Sequence, residues 1–267
     1  MSTINGGTGL FIGSPGKIGP KRSIRTMYWA NNIAPSLPKL QAQVLISLGL
    51  TIQQDIATGT RHGDWLQHTM EHLPQDESVL FLDVDAFPLS GDIVERAFRA
   101  AEWGGIFGVA QAANHLDPTF IYAGPMFLCL SKRTWNTLGR PSLRADDEFD
   151  VAGRLTAAAR DKDVKIDLIF PNFVAKPKWA MPNGNCLGIA TFYEGSVFHL
   201  FESRALPNAQ AIFAMVAEAV IRREPIDFIK LHWRLNSVGN QLADLAYAKW
   251  TRTKRKIARR AKWLARA

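Results

Sequence analysis

An α/β fold with a mainly parallel central sheet and helices on its faces is what this 267-residue chain predicts. Three observations carry that expectation. Apolar runs of strand length alternate with longer stretches of helical spacing, Pro and Gly stand between them, and two aspartates directly follow the most apolar run.

In order, residues 1–22 are rich in Gly, Ser and Pro (GGTG, GSPGKIGPK) with no sustained period, and read as a flexible arm. They lack the spacing of a phosphate-binding loop and follow no strand. Residues 23–29 read as the first strand, ending at the polar turn Ala30-Asn31-Asn32. Helical spacing over 37–48, a strand over 50–56 and a helix from Gly63 to Leu73, closed by Pro74, lead to the central strand, SVLFLDVDAFPLS at 78–90. A helix over 92–103, a strand over 106–110, a strand over 120–130 broken at Gly124-Pro125, and a short helix over 131–138 follow. The acidic cluster 146–150 precedes a helix over 151–160, so its carboxylates are expected at a helix N-terminus, where the dipole favours negative charge. A strand over 165–170, a Pro- and Gly-rich loop to about residue 188, a short strand over 196–201 and two helices, over about 208–222 and 226–247, complete the body.

Asp83 and Asp85 alternate with Val84, so strand geometry is expected to aim both the same way at the strand's carboxyl end, where open α/β sheets keep their ligand crevice. Two carboxylates in one crevice repel each other unless a cation sits between them. Mg²⁺ or Mn²⁺ suits oxygen ligands and commonly shares its remaining positions with substrate phosphates.

Composition, at 47% hydrophobic and 21% charged, is that of a folded chain with one sizeable core. No apolar run approaches 18 residues and the N-terminus lacks a signal-peptide pattern, so a cytoplasmic protein is expected. Cys129 and Cys186 lie far apart in apolar surroundings and read as buried free thiols. The net charge of +8 is local: nine of the 32 Lys and Arg fall in residues 249–267, which hold no acid, leaving 23 bases against 24 acids before them. The body is therefore nearly neutral and the tail basic.

Four pieces in this order, FLDVDAFPL, FIYAGPMFL, DDEFDVAGRL and VFHLFESR, resemble the DxD-containing GT-A type nucleotide-sugar glycosyltransferases. The resemblance spans residues 79–204 and implies a Rossmann-like GT-A sheet with a C-terminal helical extension. It implies Mn²⁺ or Mg²⁺ held by Asp83 and Asp85, with Asp83 also near the ribose and His199 as third ligand. Ala30, Asn31, Asn32, Ala123 and Gly124 would meet the donor, a UDP- or GDP-sugar. The acceptor would be a saccharide or lipid-linked hydroxyl, in cell-surface glycan synthesis. Asp147 and Asp150 become the candidate bases for its proton, with Glu148 behind them. Tyr122 and Pro125 depart from the family's pattern, which commonly has Asn and a strand former there.

The domain plan that follows is an arm at 1–22, a catalytic domain at 23–204, helices packed on it at 205–248, and a basic amphipathic tail at 249–267. Written as a helix, the tail combines Trp250 and Trp263 with Lys254, Arg255, Arg259 and Arg260, which suits an anionic membrane surface and a peripheral place at the inner face. Nucleic acid is disfavoured, since one terminal run has no aromatic platform or binding module behind it. Two rival readings remain. In a haloacid-dehalogenase-like phosphatase, Asp83 would be the nucleophile, Asp85 the acid and base, and Asp146-Asp147 the later metal-binding pair. In a non-catalytic sugar or membrane-surface binding domain the DxD would be a relic. Trp179, Phe192 and Tyr193 are large aromatics that either stack on an acceptor or fill the core.

Overall fold

The computed structural model describes residues 21–31, 33–113, 115–204 and 208–237. The expectations for residues 1–20, for Asn32 and for the tail residues Trp250, Lys254, Arg255, Arg259, Arg260 and Trp263 fall outside them. The first half runs β1 (Lys21–Tyr28), α1 (Ser36–Ser47), β2 (Gln53–Ile56), α2 (His62–His72), β3 (Glu77–Asp83), β4 (Ala86–Pro88), α3 (Gly91–Glu102) and β5 (Ile106–Ala113). The second runs β6 (Asp117–Ser131), α4 (Lys132–Thr137), α5 (Gly153–Asp161), β7 (Ile166–Ile169), β8 (Pro171–Ala180), β9 (Cys186–Tyr193), β10 (Val197–His199), α6 (Ala209–Arg222) and α7 (Phe228–Asn236).

A six-stranded mixed sheet, ordered β2-β1-β3-β6-β5-β7, forms the centre; β6 runs against the other five, which are mutually parallel. The mainly parallel α/β sheet expected from the sequence is thus present. Its central strand β3 shows why the apolar run is continuous. Leu80 and Leu82 join a core cluster with α1, α3 and α6, while Val79 and Phe81 join a second cluster with α2, α4 and α5. Helices cover both faces, so both sets of alternating side chains must be apolar. Burying each contributes about 1.5–3 kcal/mol. Among the described residues no helix is long and apolar enough to cross a membrane.

A second sheet, ordered β4-β10-β9-β8, holds the largest difference from expectation. The stretch read as a loop to residue 188 is instead the β8–β9 hairpin. Pro171 and Pro177 suggested a loop, but β8 is an edge strand, where a residue without an N–H is tolerated. Gly188 permits the close strand approach: a Cβ there would lie 2.2 Å from the Lys176 carbonyl oxygen. Gly188→Ala is expected to destabilise the protein by about 1–3 kcal/mol through that overlap. A urea midpoint unchanged from wild type would contradict the close approach.

Three smaller corrections follow, the first two from local backbone geometry. The break expected at Gly124-Pro125 is a register shift within one strand, β6, whose partners jump from Gly108↔Leu128 to Val109↔Gly124 and so leave Pro125 outside the ladder. α5 starts at Gly153, after Ala152 in the left-handed region (φ 66°), so the acids at 146–150 form a preceding loop, outside the helix's first turn. Cys129 is buried and its thiol pKa is pushed up by burial, as a structural thiol's should be, whereas Cys186 is only half-buried.

Candidate active site

The site is assembled by the crossing of the two sheets. β3 ends at Asp83, and the chain then makes a tight turn through Val84 and Asp85 before entering β4 at Ala86. Asp85 therefore stands in a turn and not at a strand position; the turn, with no help from the pleat, brings its carboxylate back beside Asp83. Gln41, buried on α1, fixes that turn by donating Nε2 to the carbonyls of both Asp83 (2.7 Å) and Ala86 (2.8 Å). β10 pairs antiparallel with β4, setting His199 opposite Ala86, and the Leu200 N–H donates to the Asp85 carbonyl at 2.9 Å. Backbone pairing thus delivers a distant histidine to the two aspartates.

The ligating atoms of Asp83, Asp85 and His199 all lie within 4.8 Å of one another. His199 Nε2 is 3.3 Å from Asp85 Oδ1 and 3.8 Å from Asp83 Oδ2. Burial opposes ionisation of Asp85, but the charge and hydrogen bond of His199, with a hydrogen bond from Ser203, prevail and hold its pKa below the usual carboxylate range. Asp85 is therefore an anion throughout the physiological range. Two carboxylates and one imidazole meeting in one cleft are a donor set that fits a divalent cation. His199 Nδ1 is buried without a hydrogen-bond partner, so Nε2, the nitrogen facing the carboxylates, makes the ring's polar contacts.

The three residues line a cleft of about 450 Å³ at the carboxyl ends of β1 and β3, with Met27, Trp29, Gln111, Tyr122 and Asp150 among its walls. Asp150 lines it directly, accepting from the Tyr122 hydroxyl (3.0 Å) and the Val151 N–H (2.8 Å). Burial, then the neighbouring Asp150 charge, pushes the Tyr122 pKa well up, so the phenol stays a donor. Asp147 and Glu148 are exposed and outside the lining, Glu148 pairing with Arg154 at 3.1 Å. Asp146 also pairs with Arg154 (2.7 Å); among the described residues the groups beside Asp83 are Asp85, His199 and His62, without the acidic pair a phosphatase would need there. Ala30 and Asn31 form an exposed turn beside the cleft. Ala123 and Gly124 stand behind its wall: the Ala123 N–H is taken by Thr156 Oγ1 at 3.0 Å. Gly124 leaves room for the Gln111 carboxamide, whose Oε1 would be 2.7 Å from a Cβ.

Sequence reasoning missed several residues that the fold brings in. His62, at the first turn of α2, places Nε2 3.4 Å from Asp83 Oδ1 and stacks on Trp65. Arg204 lies over the Trp29 ring at 4.7 Å, and the Trp29 Nε1–H donates to Thr60 O. The signal for His62 was its place in a polar turn after the second strand, on the crevice side of the sheet. Gln41 and Ser203 carried no such signal.

No protein-family model matches the chain, and no protein with a curated description matches it. Solved structures similar to it include the catalytic domain of Drosophila beta1,4galactosyltransferase 7 in complex with xylobiose, at 12% identity and TM-score 0.38, covering 55% of this chain. A mutant of that enzyme in complex with manganese, UDP-Gal and xylobiose aligns at 11% identity and TM-score 0.37, over the same 55%. The chain spans 64% of the length of both domains. A197 from STIV aligns at 10% identity and TM-score 0.39, over 62% of this chain and 93% of that one.

Proposed function

We propose that the protein is a divalent-cation-dependent glycosyltransferase of GT-A type, moving a sugar from a nucleotide-diphosphate donor to an acceptor hydroxyl. The observation that carries the reading is the meeting of Asp83, Asp85 and His199 in a cleft that Asp150 also lines. Asp83, Asp85 and His199 would hold Mn²⁺ or Mg²⁺. When bound, that ion supplies positive charge to the donor diphosphate and so favours its departure.

The chain's own groups account for the remaining needs. His199 and Ser203 hold Asp85 ionised and oriented, and Gln41 fixes the turn that carries it. Arg204, at the rim, is a cation for the donor's phosphate oxygens, and His62 orients Asp83. Asp150 has two of its acceptor positions filled by Tyr122 and Val151, which fixes the carboxylate and leaves others for a substrate proton. In a direct displacement the acceptor oxygen bonds to the anomeric carbon as the carbon–oxygen bond to the diphosphate breaks. The electron pair leaves with the diphosphate, and the acceptor's proton passes to Asp150. A UDP- or GDP-sugar donor, a role in cell-surface glycan synthesis and a cytoplasmic, membrane-peripheral location through the basic tail complete the proposal.

The test is turnover. Nucleoside diphosphate release from a panel of UDP- and GDP-sugars is expected to be abolished by EDTA and restored by Mn²⁺. Stable nucleotide sugars in every condition, with Mn²⁺-dependent hydrolysis of a phosphate monoester in their place, would move the protein to the phosphatases.

A further inference from the structure

A second lobe of about 400 Å³ opens off the metal cleft, and the two share Gln111, Asp150 and Phe201. Resting on the transferase reading, we propose that this lobe is the acceptor subsite, that it takes a pyranose ring stacked on Trp179, and that Gln111 receives one of its hydroxyls.

The structure sorts the three large aromatics that sequence alone left open. Phe192 and Tyr193 are buried in the core, whereas Trp179, on edge strand β8, is only partly buried and lines the lobe. Trp179 packs on Phe201 (5.7 Å between centroids), and Phe201 packs on His199 (3.8 Å). The indole is therefore held in a rigid aromatic row that ends on a metal-site residue. Phe201 itself takes a left-handed backbone (φ 51°) that a non-glycine residue adopts only when its surroundings hold it there.

The lining is divided in a way that matches a sugar. Trp179, Leu187 and Phe201 make an apolar wall, while Gln111, Asp150 and His115 supply the polar groups. A pyranose has an apolar C–H face and a hydroxyl rim, and aromatic platforms with a few placed polar groups suit it. Gln111 Oε1 is buried with no hydrogen-bond partner among the described residues, an unsatisfied acceptor that a substrate hydroxyl would pair. A hydroxyl both donates and accepts, so it satisfies the carboxamide whichever way the amide is turned. A phosphorylated lipid fits less well. Among the described residues the lining includes no Lys or Arg, and Lys178, whose amine lies 5.2 Å from the indole centre, is paired with Glu202. A ring seated here brings a hydroxyl to Asp150, the carboxylate shared by both lobes.

The experiment uses the full chain with Mn²⁺ and whichever nucleotide sugar it turns over. Methyl glycosides of xylose, glucose, galactose, mannose and N-acetylglucosamine are compared with a polyprenyl phosphate as acceptors. At least one glycoside is expected to accelerate nucleoside diphosphate release. Trp179→Ala should raise that glycoside's KM about tenfold or more with donor KM little changed, Trp179→Phe should recover most of the loss, and Gln111→Leu should also raise acceptor KM. An unchanged acceptor KM in Trp179→Ala, acceleration by the polyprenyl phosphate alone, or acceleration by no glycoside at all would overturn the assignment while leaving the metal-donor site standing. Failure of the wild-type protein to bind any nucleotide with Mn²⁺ would remove the transferase reading, and this subsite with it.

Discussion

Asp85→Asn is expected to abolish Mn²⁺-dependent nucleotide turnover, by a factor of about 100 or more, while the protein still unfolds cooperatively. The large effect follows from position. Asp85 is 9% exposed, is held ionised by His199 and Ser203, and is the carboxylate nearest the imidazole. An amide in its place keeps the side chain's volume, and the backbone carbonyl that receives the Leu200 N–H is untouched, but the anionic ligand is removed, and even supporting residues of metal sites cost about 10–100-fold when lost. Cooperative unfolding measured by circular dichroism separates this from collapse of the turn. Retained turnover in a folded variant would remove the aspartate pair from the mechanism.

The second large effect is at Asp150. Asp150→Asn is expected to lower kcat by about 10²–10⁴ with metal-dependent nucleotide binding retained, the range of a lost general base. Glu148→Gln is the matched control. Its carboxylate is exposed and paired with Arg154 outside the cleft, so its removal should leave kcat essentially unchanged. Equal losses in both variants would return the assignment to the acidic loop as a whole. A nucleotide-binding defect in Asp150→Asn would place that residue on the donor and not on the acceptor's proton.

The parts of this fold that were legible are those where local pattern and tertiary position coincide. The run from Val79 to Leu82 reads as a buried strand because both of its faces are covered, and Asp83 ends that strand. Alternation misled at Asp85, because a period of two holds only while the chain stays extended, and a turn intervenes. The β8–β9 hairpin was hidden by Pro171 and Pro177, which report the absence of an N–H donor but not whether a neighbour needed one. His199 was found by its order after the aspartates, although only the β4–β10 register explains how it reaches them. Gln41 and Ser203 were invisible for the opposite reason. Their roles depend on contacts made across the fold, and an uncharged polar residue in a helix or loop carries no mark of them.

Asp150 shows a middle case. The acidic cluster was visible, but which member faces the cleft depends on Ala152 turning left-handed and on α5 beginning at Gly153. Asp150 then receives Tyr122 and Val151, while Asp146 and Glu148 are drawn outward by Arg154. Spacing alone could not rank them.

The measurement that bears most directly on the central claim is a thermal-shift series of nucleoside diphosphates on the wild-type protein and Asp85→Asn, each with and without Mn²⁺. A ligand of the folded state raises Tm by mass action, by about 2.7 kcal/mol of added stability at 100 times its Kd. The expected result is stabilisation of the wild-type protein by one nucleoside diphosphate only when Mn²⁺ is present, and none in the variant. Equal stabilisation of both proteins, or stabilisation that ignores Mn²⁺, would contradict the assignment of Asp83, Asp85 and His199 as the donor's metal site.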